Sequence, residues 1–472
     1  MDIEKSPLLT DLYQLNMMQA YLTNGLTATA VFEFFVRRLP ERRAFLLAAG
    51  LEQALDFLEG LQFTEAEVAY LARTGRFDRA MLDYLKSFRF TGDVDAMAEG
   101  TAFFPDEPIL QVTAPLPQAQ LLESRLINIL HFQSLIASKA ARVVLAAPGK
   151  LLVDFGLRRA HGAEAGLMAA RASYIAGFAG SATVLAEELY GIPAYGTMAH
   201  SYVQAHDDEM AAFESFARAR ANNLTLLIDT YDTEAAAKKV VELAPRLKAD
   251  GIIVQAVRID SGDLIALSRR VRQILDQGGL PEIRIFASGG LDEDSIAAML
   301  RADAPIDGFG VGTSLTTSSD APTFDCVYKL QEYAGVPRRK RSAEKQTWPG
   351  RKQVWRRYAP SGAMIADVLS LQSDRQEGDP LLQPVMRQGR RLGLKPSLGD
   401  IRARAAAELA SLPQALQQLE PERVYPVRIG ERLFRHAGKV KPRCAPRLLR
   451  TDRSGGRHHR RPDHRVGWLF HP

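Results

Sequence analysis

Cysteine is nearly absent. Cys326 and Cys444 are the two in 472 residues, and they form no CxxC pair. That excludes a disulfide framework and a zinc knuckle and points to a reducing, cytoplasmic setting. No run of about 18 apolar residues occurs, so no membrane span is expected. The opening MDIEKSPLLTDLYQL carries acids early and no continuous apolar stretch, so no signal peptide is expected. No GxGxxG follows a first strand, which removes the main sign of a dinucleotide-binding fold. Excess positive charge is also missing from most of the chain. Ten Lys and Arg against two Asp give residues 437–472 a charge of +8, so residues 1–436 carry −3 of the total +5. A basic nucleic-acid surface on the body loses its main support, and neither a nucleic-acid nor a membrane partner is expected.

What is present is a repeat. Residues 1–117 look mixed α+β. A helix is expected near Pro7–Leu22, another across AFLLAAGLEQALDFLEGL, and a long one over Gln118–Ser138. From Leu151 short apolar runs recur: LLVDFG, IPAYGT, LTLLIDT, IIVQAVRID, IRIFASGG and IDGFGVGT. Helical stretches such as DTEAAAKKVVELAPRLKADG separate most of them. Strand–helix alternation at this period predicts βαβ units and a parallel sheet. Six units predict an α/β fold with a (β/α) barrel-like catalytic domain over 118–330, irregular or incomplete. Residues 331–436 should pack on the first two parts. The Arg/Pro/His-rich 437–472 lacks apolar periodicity and is expected to be disordered.

In such barrels chemistry sits at the C-terminal ends of the strands. Those ends carry Asp154–Arg159, then Thr197 and His200, then Asp229, Thr230 and Asp232, then Arg258, Asp260, Ser261 and Asp263. Ser288, Gly289 and Gly290 follow, then Gly312 and Thr313. Singly, each reads as a helix cap or turn residue. Together on one rim they read as a site. Glycine-rich loops after the last two strands suit a phosphate, aided by the dipole of a following helix. Arg258 and the Arg158/Arg159 pair offer fixed cations for a second anion, and Asp260 and Asp263 could hold Mg2+. The pattern predicts an enzyme acting on a phosphorylated, multiply anionic substrate.

The stretches LLTDLYQLNMMQAY, DFGLRRAHG, GTMAHSYVQ, LLIDTYDT, VRIDSGD, ASGGL, GVGTSL and SAEKQTWPGRKQVWR run in order from about residue 7 to 357. In this the chain resembles the nicotinate phosphoribosyltransferases of NAD salvage. The resemblance implies a barrel with an added open-faced domain from the N-terminal part, and a homodimer with shared active sites. It implies transfer of phosphoribosyl from 5-phosphoribosyl 1-pyrophosphate to nicotinate, with ATP as co-substrate and Mg2+ as cofactor. His200, alone an ordinary loop histidine, becomes the catalytic residue, transiently a phosphohistidine. Tyr13, Phe155, Arg158, Thr197, Ser201 and Arg258 would bind nicotinate. Asp260, Ser288, Gly289, Gly290, Gly312 and Thr313 would bind phosphoribosyl pyrophosphate. After VYPVRIG the Arg-rich tail departs from the family pattern. The rivals are an enzyme for nicotinamide or another pyridine base, and a non-catalytic phosphosugar-binding relative. The Arg-rich FGLRRAHG favours the acid.

Overall fold

The computed structural model describes residues 6–440 apart from 341, 343, 344 and 422. Residues 437–439, expected to belong to the disordered tail, instead close the helix Glu431–Lys439, where Ala437 packs at 1% exposure; the rest of that expectation, from residue 441 on, lies outside the described residues. Six short strands make the central parallel sheet, in the order Gly180–Ser181, Leu151–Asp154, Gly308–Val311, Arg284–Ser288, Val254–Ile259, Leu224–Leu227. Helices Ala163–Ala176, Thr233–Ala249, Leu264–Gln277 and Glu293–Arg301 are the crossovers. The sheet has two free edges, so the expected barrel is a curled half-barrel. One strand differs from expectation. IPAYGT forms no strand beyond a single Ser181–Ala194 bridge, and Gly180–Ser181 takes that place in the order. Pro193 has no N–H to donate, which limits this stretch to edge contacts.

A seven-stranded antiparallel sheet forms the open-faced layer. Its order is Val336–Pro337, Cys326–Tyr333, Thr29–Val36, Pro108–Pro115, Asp93–Ala96, Gln383–Arg387, Arg390–Arg391. The N-terminal part supplies the three central strands. The flanking strands arrive from after the half-barrel. A smaller sheet, Lys352–Tyr358 with Met364–Leu371 at its centre, holds the C-terminal region against both.

The helix expected at Gln118–Ser138 is two helices. Leu116–Leu121 starts on Pro115 and Pro117, and Glu123–Ala146 follows. Proline suits a helix start, where its missing N–H has no partner to lose. The second helix joins two cores. Leu126, Ile129, Leu130 and Leu135 face the core under the antiparallel sheet, whereas Ile136, Ala137, Ala140 and Val143 face that of the half-barrel. A helix that packs on both sides must be apolar nearly all round. Among the described residues it is the one helix long and apolar enough to cross a membrane, yet it is mostly buried inside the protein.

Candidate active site

The strand ends converge as the repeat predicts. His200 opens the short helix His200–Gln204, with Ala199 in an extended conformation before it. Its Nδ1 lies 3.2 Å from Thr230 Oγ1. Its Nε2 lies 3.8 Å from Asp260 Oδ2, and both side chains remain about one-third exposed, at 37% and 27%. The imidazole is thus gripped on one nitrogen and presents the other beside a carboxylate. Asp260 is itself held twice. Its backbone N–H donates to Asp229 Oδ2 at 3.0 Å, and Ser288 Oγ donates to its Oδ1. Ser261 Oγ donates to the same Asp229 oxygen at 2.6 Å. Three adjacent strand ends are therefore tied by two carboxylates.

Arg258 rises from the strand that carries Asp260. Its Nη1 donates to Thr197 Oγ1 at 3.0 Å. Burial lowers its pKa, Asp260 and Asp229 oppose that shift, and the Arg158 guanidinium adds to it. Two guanidiniums are thus close enough to repel. The Arg258 Nε is buried and without a hydrogen-bond partner. Arg158 is exposed, so the burial cost falls on Arg258 alone, and a buried cation with an unpaired N–H is costly unless an acceptor reaches it.

Phe155 turns off the first half-barrel strand and sets its ring 5.8 Å from that of Phe286, tilted by 44°. The turn Leu157–Arg159 follows, so Arg158 sits on the same rim. Gly312 and Thr313 follow the neighbouring strand, which pairs Val311 with Asp154. Gly289 has φ +96°, and a Cβ there would stand 1.9 Å from the Asp260 carbonyl oxygen. Gly290 has φ +64° and open space in front of it. These two exposed peptides can approach an anion closely. The helix dipole expected behind them is already used, because Asp292 caps Glu293–Arg301 through the Ser295 N–H.

Direct contacts join Thr197 to Arg258, and His200 and Ser288 to Asp260, with Phe155, Arg158, Gly289, Gly290, Gly312 and Thr313 on the same strand ends. Ser201 is exposed next to His200. Tyr13 contacts a different group: its hydroxyl donates to Glu123 Oε2 at 3.3 Å. Asp263 caps Leu264–Gln277 through the Ala266 N–H at 3.1 Å, so Oδ1 is not free for a cation. Asp229 Oδ1 is buried with no partner and lies in a better place for one. No cluster of three His, Cys, Asp or Glu suited to a metal occurs among the described residues. Thr230 and Asp229 are the contacts of His200 and Asp260 that sequence reading did not assign. LLIDTYDT displays both, but nothing in it says that they reach His200 and Asp260.

Three family descriptions match the chain. They are the nicotinate phosphoribosyltransferase (NAPRTase) N-terminal domain over residues 8–131, the NAPRTase family over 151–341 and the NAPRTase C-terminal domain over 371–437. The chain is 48% identical to nicotinate phosphoribosyltransferase pncB2 of Mycobacterium tuberculosis, covering 92% of this chain and 94% of that one. It is 33% identical to the Bos taurus nicotinate phosphoribosyltransferase, covering 93% and 97%. The crystal structure of human nicotinic acid phosphoribosyltransferase superposes with TM-score 0.82 at 29% identity, over 92% of this chain and all of that one.

Proposed function

We infer the chemistry of the site from the premise that the chain belongs to the nicotinate phosphoribosyltransferase family. It is an enzyme of NAD salvage that joins nicotinate to a phosphoribosyl group, giving nicotinate mononucleotide. Its partners are small molecules. The observation that carries the choice of an acid over nicotinamide is the unpartnered, buried Nε of Arg258. Arg258, with its unpartnered buried Nε and Arg158 beside it, calls for an anion. A pyridine carboxylate supplies one, and an amide does not. Phe155 and Thr197 then bound the ring. The ring nitrogen attacks C1 of phosphoribosyl pyrophosphate, the C1–O bond breaks, and pyrophosphate leaves with the electron pair. Gly289, Gly290, Gly312 and Thr313 hold the phosphate groups.

His200 takes the γ-phosphoryl of ATP. In this reading the Nδ1 tautomer is the reactive one: its N–H donates to Thr230 Oγ1, 3.2 Å away, and leaves the lone pair on Nε2, the nitrogen beside Asp260. Nε2 attacks phosphorus, the bond to the bridging oxygen breaks, and ADP leaves. Asp260 and Asp229, the latter through its unpartnered oxygen, are the carboxylates that would hold a divalent cation. Mg2+ held there would offset charge on the phosphates. Asp263 is not one of its ligands in this reading. Tyr13, exposed on the open-faced layer, is the residue we assign to the other subunit's site in a homodimer. The low cysteine content agrees with cytoplasmic location. Product analysis with nicotinate or nicotinamide, each with and without ATP, tests the whole reading. Equal turnover of the amide removes the carboxylate argument, and turnover indifferent to ATP removes the phosphohistidine.

A further inference from the structure

We propose that Asp154 is a positioning residue for nicotinate, clamping the turn that aims Phe155 and Arg158 at the ring and its carboxylate; this rests on the nicotinate site read above. Asp154 ends the first half-barrel strand and is 1% exposed. No ion pair is formed by it among the described residues; two neutral donors hold it instead. Ser181 Oγ donates to Oδ2 at 2.7 Å, and the Gly156 N–H donates to Oδ1 at 2.7 Å. Burial pushes its pKa up, and the two hydrogen bonds draw it back. A buried carboxylate without a cation is expensive, and apolar packing would serve a purely structural purpose better.

Its two bonds lead to the site. Gly156 is the first residue of the turn: its carbonyl accepts from the N–H of Arg159 at 2.8 Å and of Ala160 at 3.1 Å. Fixing the Gly156 N–H therefore fixes the turn that carries Arg158. A Cβ at Gly156 would stand 2.7 Å from Thr316 and 2.9 Å from Asp154 Oδ1, so the peptide lies directly on the carboxylate. Between the clamp and the turn stands Phe155, whose ring meets Phe286. Ser181 extends the clamp to the neighbouring strand, and its Oγ accepts the Thr183 N–H at 3.0 Å.

Asp154→Asn keeps the volume but turns an acceptor oxygen into a donor amide, which conflicts with one of the two donors. The expected result is a nicotinate KM raised about tenfold or more, with kcat and the KM for phosphoribosyl pyrophosphate within about threefold. In a double-mutant cycle the effect should be nearly absorbed by Arg158→Ala, because both changes lose the same guanidinium placement. A uniform loss in all constants, or factors that multiply in the double variant, overturns the proposal in favour of a structural role. If Arg158→Ala raises the nicotinate KM and Asp154→Asn does not, only the clamp fails. If Arg158→Ala leaves that KM unchanged, Arg158 does not hold the carboxylate and the clamp fails, whereas the nicotinate reading fails only if Arg258→Ala leaves it unchanged as well. Should Asp154→Asn not fold, Ser181→Ala removes one donor instead; the same cycle then applies, and each outcome carries the same meaning.

Discussion

Replacing Gly289 by alanine separates backbone geometry from side-chain chemistry at the phosphate loop. Two costs arise. The residue sits at φ +96°, where an L side chain is strained by about 1–2 kcal/mol. Its Cβ would also stand 1.9 Å from the Asp260 carbonyl oxygen, whereas ordinary contact begins at 3.4 Å. Relief needs a relative movement of about 1.5 Å between the Ser288–Gly290 turn and the Asp260 peptide. Either partner carries the site with it. Ser288 donates to Asp260, and Asp260 faces His200. A misplacement of about 1 Å costs on the order of a hundredfold in rate where reacting groups must be aligned. Gly289→Ala should therefore lower kcat/KM for phosphoribosyl pyrophosphate at least a hundredfold, with circular dichroism unchanged. Gly290→Ala is the control. It too has positive φ, +64°, but its Cβ meets nothing within 4 Å, so a loss under about tenfold is expected. Equal rates in the two variants would show that the contact with Asp260 is irrelevant.

Three further outcomes are expected. His200→Ala should abolish acid-labile labelling from γ-phosphate-labelled ATP while leaving the melting temperature within about 2 °C, because the side chain is about one-third exposed; undiminished label would reassign the acceptor. Arg258→Ala should raise the nicotinate KM about 30- to 1000-fold, from the loss of about 2–4 kcal/mol of charge-assisted hydrogen bonding, and steady-state kinetics showing normal saturation would move the carboxylate to Arg158 or Arg159. Burial pushes the Asp320 pKa up, but Arg43 and Lys139 more than offset this and hold it at about 2. Its folded pKa is below the unfolded value of about 3.9, so its contribution is complete above that pH and is lost as pH falls toward 2. Asp320→Asn should cost about 3 kcal/mol at pH 7 by denaturant titration, the lower end for stripping a buried pair, because Glu293 still faces Lys139; the difference from the parent should shrink below pH 4.

The half-barrel was legible because its signals are local. Each βα unit spans some 30 residues, with apolar runs ending in polar or glycine residues, and the structure keeps those ends on one rim. Gly180–Ser181 was not legible, because two small residues make no apolar run. They are a strand through their pairing with Val153 and Asp154 and the bridge to Ala194. The open-faced sheet was half legible. Thr29–Val36 reads as a strand, but its pairing of Ala30 with Tyr333 crosses some 300 residues, and no local periodicity encodes such a partner. The site divides in the same way. GTMAHS and VRIDSGD announce His200 and Arg258. The tie of Asp229 to the Asp260 peptide depends on the stagger between two strands. Asp263 shows a further limit, because a carboxylate that caps a helix and one that binds a cation look identical in a string of letters.

The helix Glu123–Ala146 lends its first half to one core and its second half to the other. Neither sheet can come apart without stripping one end of it, so opening either layer exposes apolar surface belonging to both. The amides at its middle, near Leu135 and Ile136, should exchange with deuterium only through whole-molecule opening. The two halves of the enzyme then melt in one calorimetric transition, despite being two architectures joined along a single rod.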